Sequence, residues 1–353
     1  MTDRQWVRAV LSHEDGPVPY NVPLSPVAQR RLQAHYGTED LPEALGVPIR
    51  MRGCTSIKPL YASPAEFGPT AKDEFGVVWS TSQIDRGSPV GPCLPDPDLR
   101  GYRFPDPAAP HRFEGLADWC EAQGERFTIL WIGDLWERAT FMRGMEHLLL
   151  DVALNRAFVE ELLRAIADGI LQTERILFGG CRFDGVALSD DYGTQHGMLI
   201  SPDDWRRLVK PLLAEIYGLA KSHGRIVFHH TCGHVRPIVP DLIDIGLDVL
   251  HPIQPEAMDI AELKHEFGGH LTFCGGVPTQ NLLPHGTPDE VRREVRRLKE
   301  EMSRGGGYIL EPGITLQADV PTENLLALIE EARVGRPDTT PAATRTPQGR
   351  EGR

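Results

Sequence analysis

One imidazole and two thiols in this sequence have the types and spacing needed to bind a metal ion. His230 and Cys232 lie two positions apart in RIVFHHTC, and Cys274 lies in the later segment LTFCGG. Residues two apart in an extended chain project to the same side, so His230 and Cys232 can bind one ion. Imidazole and thiolate suit Zn²⁺, and three protein ligands with one open position are typical of catalytic zinc. We therefore predict a zinc site formed by His230, Cys232 and Cys274, which would activate a bound thiol or water or polarise a substrate oxygen.

The same cysteines also have a structural interpretation. Cysteine is among the most buried residue types, so Cys274 could be a small core residue and Cys232 a packing residue before a turn. We predict structural roles for the four cysteines that have no partner at metal spacing: Cys54, Cys93, Cys120 and Cys181.

Other polar side chains follow the apolar segments. We expect four of them to orient substrate or move protons: Asp191, Gln195, Gln254 and Glu311. His251 or Glu311 could also be a fourth ligand or could support a ligand by a hydrogen bond. His229 projects opposite to His230 and is expected in the core, and Asp190 and Asp191 could instead cap the helix that follows them.

Apolar segments and helical stretches alternate from Phe127 onward, which predicts repeated βα units and a parallel sheet. No segment is followed by a Gly-x-Gly-x-x-Gly turn, so dinucleotide binding has no support. We predict a single-domain (β/α)8 TIM barrel, in which residues at the carboxyl ends of the strands share one mouth. The predicted strands are 127–133, 184–190, 225–231, 248–253, 271–276 and 307–312.

Two helices have clear start signals. One begins at Ser201-Pro202 and should kink at Pro211, and the other begins at Thr287-Pro288. Residues 36–125 are rich in Pro and Gly, and we interpret PIRMRG and FGVVWST as early barrel strands between long loops. The predicted division is an N-terminal helical extension (1–35), the barrel (36–333) and a disordered, polar tail (334–353).

Composition excludes several classes of protein. The 353 residues include 37 Lys and Arg against 50 Asp and Glu, a formal charge of −13 that argues against nucleic acid or an anionic membrane as partner. No apolar run is long enough to cross a bilayer, and the charged N-terminus does not read as a secretory signal. With only six cysteines, we predict a cytoplasmic protein without a disulfide framework.

Several blocks resemble the uroporphyrinogen decarboxylase superfamily, which includes porphyrinogen decarboxylases and zinc methyltransferases that exchange methyl groups with corrinoid proteins. The resemblance covers roughly residues 125–333 and implies the same barrel; DEFGVVW fits weakly. The blocks are ERATFMRGMEHLLLD, SDDYGTQHGMLISPDDWRRLVKPLL, FHHTCGHV, LTFCGGVPTQNLLPHGTPDEV and GGYILEPGITLQADVPTENLLALIEE.

Two departures from the family distinguish its branches. The decarboxylases resemble one another through an N-terminal arginine-rich block that holds a polycarboxylate, but this chain has VPYNVPLSPVAQRRL there, and Arg30-Arg31 does not replace the block. The methyltransferase branch has a His-x-Cys that matches His230 and Cys232. Its third ligand follows the last Pro-Gly, where this chain has Ile314, so either Cys274 substitutes or the site has only two sulfur and nitrogen ligands.

The favoured hypothesis is a zinc-dependent methyltransferase. It would move a methyl group between a small methylated compound or thiol and a corrinoid (cobalamin), with the corrinoid on a partner protein, and could act as a homodimer. The first alternative is a decarboxylase of uroporphyrinogen or another carboxylated compound. The second is a non-catalytic binder of a corrinoid or tetrapyrrole, suggested by Ile314.

Overall fold

A seven-stranded parallel sheet forms the centre of the molecule in a computed structural model that describes residues 1–338. Numbered along the chain, its strands in spatial order are β1 (Ile49–Gly53), β5 (Phe127–Gly133), β6 (Gly185–Ser189), β7 (Ile226–His230), β8 (Val249–Ile253), β9 (Thr272–Val277) and β10 (Tyr308–Pro312). The six strands predicted from Phe127 onward are thus confirmed, with ends shifted by at most one residue.

Inward-facing side chains from all seven strands meet in one apolar cluster, to which α1 (Asp3–Leu11) adds Val7. The strand members include Ile49, Phe127, Ile129, Ala187, Phe228, Val249, Cys274 and Ile309. Strands at opposite edges of the sheet contribute to the same cluster, so the sheet curls towards a barrel.

The place beside β10 is taken by residues 17–24, which form isolated bridges and no regular strand. Tyr20 bridges Leu310 and Leu24 bridges Leu316, both in parallel sense. Because Pro17, Pro19 and Pro23 have no backbone N–H, this segment cannot donate a continuous ladder of hydrogen bonds. The predicted α/β class is confirmed, but the described residues give seven strands in the parallel sheet where eight were predicted.

Helices surround the sheet. They are α1, α2 (Pro26–Tyr36), α3 (Leu41–Ala44), α4 (Pro64–Phe67), α5 (Leu116–Ala122), α6 (Trp136–Arg143), α7 (Met145–Leu154), α8 (Arg156–Gly180), α9 (Pro202–Leu208), α10 (Lys210–Ser222), α11 (Val239–Asp244), α12 (Ile260–Phe267), α13 (Leu282–His285), α14 (Pro288–Met302) and α15 (Thr322–Arg333). Short 3₁₀ turns cover Pro110–Phe113 and Arg236–Ile238.

Both helices with clear start signals are confirmed. The side chain of Ser201 accepts from the Asp204 backbone N–H, and the helix breaks at Val209, two residues before Pro211. Thr287 and Glu290 form a reciprocal capping box at the start of α14.

Of the two strands predicted before Phe127, one is confirmed and the other is wrong. The segment IRMRG is β1 of the parallel sheet, as predicted. The barrel-strand prediction for FGVVWST is wrong, because β3 (Val78–Ser80) lies between β2 (Thr70–Lys72) and β4 (Pro89–Gly91) in a separate antiparallel sheet. Asp73 explains the local fold: its carboxylate accepts from the backbone N–H groups of Phe75 and Val77, which tightens the turn between β2 and β3.

At the termini, residues 1–35 contain α1, α2 and the bridging segment between them, and the domain division at residue 35 stays a prediction. Most of the predicted tail, residues 339–353, lies outside the described residues. In the described part of the chain, every helix is too short or too polar to cross a membrane.

Candidate metal centre

A cavity of about 1740 Å³ opens at the carboxyl ends of the parallel strands. Side chains two residues apart on a strand lie in successive layers of the barrel interior. The layer formed by Phe228, Val249 and Ile309 is apolar, and the layer above it carries the polar groups that face the cavity: His230, His251 and Glu311.

Within residues 1–338, two groups of three side chains place carboxylate, imidazole and sulfur atoms within 4.8 Å of one another. The open triad consists of Asp191, His230 and Cys232, all partly exposed and lining the cavity. The buried triad consists of His251, Cys274 and Glu311. The structure therefore brings together two of the three predicted zinc ligands, with Asp191 as their neighbour.

The geometry of the open triad fits a tetrahedral ion. His230 Nε2 lies 3.4 Å from Cys232 Sγ and 3.5 Å from Asp191 Oδ1. Bonds of about 2.0–2.3 Å to zinc would space tetrahedral ligand atoms roughly 3.3–3.6 Å apart. The three side chains present the nitrogen, sulfur and oxygen donors that zinc accepts, and the two separations from His230 Nε2 match that spacing.

Cys274 is not part of this triad. It is fully buried, and its Sγ donates to Glu311 Oε2 at 3.3 Å. Strand register explains the difference: Cys274 is paired with Ile309 of the apolar layer, whereas Glu311 is two residues further along β10. The described structure therefore does not assemble the predicted set of His230, Cys232 and Cys274, because Cys274 lies one layer too deep. Ile314, at the family's third-ligand position, lines the cavity but has no donor atom.

The buried triad connects to the open triad through two imidazoles. Glu311 Oε1 lies 2.9 Å from His251 Nε2, and His251 Nδ1 lies 3.0 Å from His230 Nδ1. An ionised carboxylate can only accept, so His251 Nε2–H donates to it and a neutral His251 accepts at Nδ1. When both histidines are neutral, His230 donates from Nδ1 and its Nε2 lone pair faces Cys232 and Asp191, whereas a protonated His230 directs its Nε2–H at Asp191.

In their protonated, charged forms the same two histidines stabilise the carboxylates of the two triads. Burial raises the pKa of Glu311, but the charge and hydrogen bond of His251, with hydrogen bonds from Asn21 and Cys274, bring the pKa below its usual value. Burial also raises the pKa of Asp191, yet His230 and the Cys232 backbone N–H lower it to about 2. Both carboxylates are therefore ionised at neutral pH.

Burial, followed by the nearby Asp191, raises the pKa of the Cys232 thiol well above its usual value. Without a cation, this thiol stays protonated at neutral pH. A zinc ion would stabilise the thiolate, which is the usual coupling between metal binding and thiol ionisation.

The other predicted site residues have distinct positions. Gln254 is buried, and its Oε1 accepts from the Gly233 N–H at 2.7 Å, which fixes the turn after Cys232. Gln195 is exposed and is not among the residues that line the cavity, so a contact between Gln195 and substrate there is not supported.

In each of the neighbouring pairs Asp190–Asp191 and His229–His230, one residue faces the cavity and the other has a structural role. Asp190 is buried and accepts from the backbone N–H groups of Leu135 and Glu137, so it caps the start of α6, while Asp191 faces the cavity. His229 is fully buried and its Nδ1 lies 2.7 Å from the Tyr217 hydroxyl, as expected for a core histidine.

Glu137, which the sequence interpretation missed, also faces the cavity. Its Oε2 accepts from the Ser189 hydroxyl at 2.9 Å, and its Oε1 lies 3.9 Å from Arg86. Burial and the charges of Asp191 and Asp134 raise the pKa of Glu137 to about 8. Glu137 can therefore hold a proton at neutral pH.

Two further residues of the cavity wall, Asn21 and Lys58, were also missed. Glu137 follows the end of β5 by four residues, so the strand-end rule could have identified it. Asn21 and Lys58 lie in segments without periodic pattern, and their types and spacing gave no signal.

Comparison with known proteins connects the chain to one family. A family model described as uroporphyrinogen decarboxylase (URO-D) matches residues 121–334. The methylcobamide:CoM methyltransferase MtaA of Methanosarcina barkeri is 27% identical over 146 residues, which are 41% of this chain and 40% of that protein. The uroporphyrinogen decarboxylase of Pseudoalteromonas translucida is 26% identical over 220 residues, 58% of each chain. The chain thus matches less than two thirds of the length of these relatives.

A solved structure described as a methyltransferase from Methanosarcina mazei superimposes with a TM-score of 0.70. It covers 95% of this chain and 99% of that chain at 20% sequence identity. At this identity the likeness shows that the fold is shared.

Proposed function

The chain belongs to the uroporphyrinogen decarboxylase family, and from that premise we propose that it is a zinc-dependent methyltransferase. It would move a methyl group between a small methylated compound or thiol and a corrinoid carried by a partner protein. The similarity to MtaA, whose name states a methylcobamide:CoM methyl transfer, supports this proposal. The observation that carries it is the open triad, whose ligand spacing fits zinc at the wall of the cavity.

Asp191, His230 and Cys232, which all line the cavity, would hold the metal. Zinc bound there would activate a thiol or polarise the heteroatom that carries the methyl group. Glu311 and His251 orient His230, while Gln254 and Asp191 fix the backbone at Gly233 and Cys232. Glu137 would hold a proton for the heteroatom that loses the methyl group.

The size of the cavity agrees with a bulky second substrate. Pockets for small molecules usually have volumes of about 300–1,000 Å³. The cavity of about 1740 Å³ is larger, as expected where a partner must bring a corrinoid close to the strand ends. We also propose that residues 17–24 close the sheet as the eighth element of a (β/α)8 barrel, with Asn21 reaching Glu311 from that position.

The proposal is tested by adding methylcobalamin and a panel of thiols to purified protein and recording the loss of the methylcobalamin absorbance. We expect zinc-dependent demethylation that Cys232→Ser abolishes and that Cys274→Ala retains. Absence of zinc in protein purified without chelator, together with activity that survives Cys232→Ser, would contradict the proposal.

Decarboxylation is the second candidate, because some relatives are named uroporphyrinogen decarboxylases. Against it, three of the four arginines that line the cavity lie within ion-pair distance of a carboxylate of the described residues: Arg50, Arg112 and Arg138. A polycarboxylate would have to compete with these partners. Anaerobic turnover of uroporphyrinogen that is unaffected by Cys232→Ser would favour decarboxylation.

A further inference from the structure

Lys58 is a buried cation in the wall of the cavity. It lies in the loop after β1 and is only 7% exposed. Its Nζ donates to the Pro59 carbonyl oxygen at 3.1 Å and lies 5.1 Å from the centre of the Trp79 ring. These two contacts leave part of the donor capacity of the ammonium group unused, because a lysine has three N–H donors.

Lys58 differs from three of the four arginines of the same cavity in its lack of a counter-ion. Arg50, Arg112 and Arg138 each have a carboxylate within 4.0 Å, whereas no carboxylate in residues 1–338 comes that close to Lys58. The nearby Asp73 is engaged by Arg138 at 2.8 Å and by the Trp79 indole N–H at 3.0 Å. A buried charge without a partner is costly, so this position is suited to an anion that arrives with a ligand.

The surroundings limit what that ligand can be. The Trp79 ring packs edge-to-face on Phe141 at 4.9 Å, which makes the wall below the ammonium apolar and rigid. Burial lowers the pKa of Lys58; the charge of Asp73 raises it, those of Arg86 and Arg138 lower it, and that of Glu74 raises it. The surrounding carboxylates and guanidinium groups thus offset one another, so the ammonium itself is the charge that an anionic group would neutralise.

We propose that Lys58 forms a subsite for the carboxylate, sulfonate or phosphate group of a small substrate whose reacting atom lies at the open triad. The identity of the ligand as substrate rests on the proposed function, but the subsite itself rests only on the surroundings of Lys58. Lys58 and the open triad line the same cavity. Arg86 links the surroundings of Lys58 to the strand ends. Its charge acts on Lys58, and it lies 3.9 Å from Glu137. Glu137 in turn accepts from the Ser189 hydroxyl at the end of β6.

The test compares ω-mercapto carboxylates of increasing chain length with the matching ω-mercapto alcohols. Binding is measured by calorimetry in zinc-loaded and zinc-stripped protein. A hydrogen bond to a charged group contributes about 1.5–3 kcal/mol, so we expect the best carboxylate to bind roughly 10-fold or more tightly than its alcohol. Lys58→Met should bring this ratio to about one, and Lys58→Arg should retain part of it.

Lys72→Met is the matched control, because Lys72 is an exposed lysine of β2 outside the cavity wall, and it should keep the full ratio. Thermal melts verify that each variant is folded. A wild-type ratio near one at every chain length, or a ratio unchanged in folded Lys58→Met, would overturn the subsite. A preference for the carboxylate that depends on Lys58 in protein that binds no zinc would support the subsite while contradicting the proposed metal centre.

Discussion

The open and buried triads contain the same three kinds of donor, a carboxylate, an imidazole and a thiol, but the structure arranges them differently. In the open triad the donor atoms of His230, Cys232 and Asp191 are separated by distances that suit bonds to an ion and face a cavity. In the buried triad, His251 and Cys274 are each within hydrogen-bond distance of Glu311. Donor type alone therefore does not define a metal site; accessibility and unused donor capacity do.

A third carboxylate sharpens the contrast. Glu174 of α8 is as buried as Glu311, but neither of its carboxylate oxygens has a hydrogen-bond partner among the described residues. Burial raises the pKa of Glu174 to about 8, whereas the pKa of Glu311 is lowered despite its burial. The difference between these two carboxyls comes from the charge and hydrogen bonds of the groups around Glu311, which Glu174 lacks, and not from burial depth.

The largest effect is expected for the open triad. Cys232→Ala removes a proposed ligand, so the zinc dissociation constant should rise well beyond the roughly 10–100-fold typical of a supporting residue. Zinc competition with a chromophoric chelator measures this. Cys120→Ala, which removes a buried thiol outside both triads, should bind zinc as the wild type does. If Cys232→Ala binds zinc as tightly as the wild type, the open triad is not the zinc site.

An intermediate effect is expected for the centre of the buried triad. Glu311→Gln replaces an acceptor of three donors by an amide whose nitrogen cannot accept, so His251 and His230 lose their fixed tautomers. Zinc affinity should fall by roughly 10–100-fold. Glu331→Gln, at a buried carboxylate paired with Arg296 on α14, is the matched control and should leave affinity unchanged. Tautomer states of the two histidines, read by ¹⁵N NMR in zinc-free protein, should change only in Glu311→Gln.

A smaller effect, on stability, is expected for Glu174. Its folded pKa of about 8 lies above the ordinary 4.5, so the folded state holds an extra proton between these values and stability declines as pH rises through this window. Glu174→Leu should remove that slope and stabilise the protein by about 1–3 kcal/mol near pH 8. Urea unfolding from pH 5 to pH 8 measures both. A variant whose stability runs parallel to the wild type would show that Glu174 has a partner.

The smallest effect on the metal is expected for Cys274. Cys274→Ala removes one of three donors to Glu311 and leaves a small void, so unfolding free energy should fall by about 1–2 kcal/mol. Zinc content should stay at the wild-type level. Metal analysis and urea unfolding on the same preparation separate the two quantities, and loss of zinc in folded Cys274→Ala would restore Cys274 as a ligand.

The fold was most predictable where strands are buried on both faces. The segments from Phe127 to Pro312 are short, continuous apolar runs, as expected for parallel strands covered by helices, and their ends follow directly from the pattern. Residues 17–24 and β2–β4 could not be placed in this way. Prolines interrupt residues 17–24, and the turn between β2 and β3 depends on the side chain of Asp73. Neither region therefore shows a periodic hydrophobic pattern that predicts its structure.

The site was predictable in residue type but not in depth. His230 and Cys232 were identified because residues two apart share a side of a strand, and that rule holds. The depth of Cys274 depends on how β9 is aligned with β10, which places it beside Ile309. Strand register is set by packing across the whole sheet, so the sequence of one strand does not determine it.

X-ray absorption at the zinc edge of the purified protein tests the central claim most directly, because it counts the sulfur atoms bound to the metal. We expect one zinc per chain with one sulfur ligand, from Cys232, and otherwise nitrogen and oxygen ligands. Two sulfur ligands that fall to one in Cys274→Ala, or a protein that retains no zinc, would contradict it.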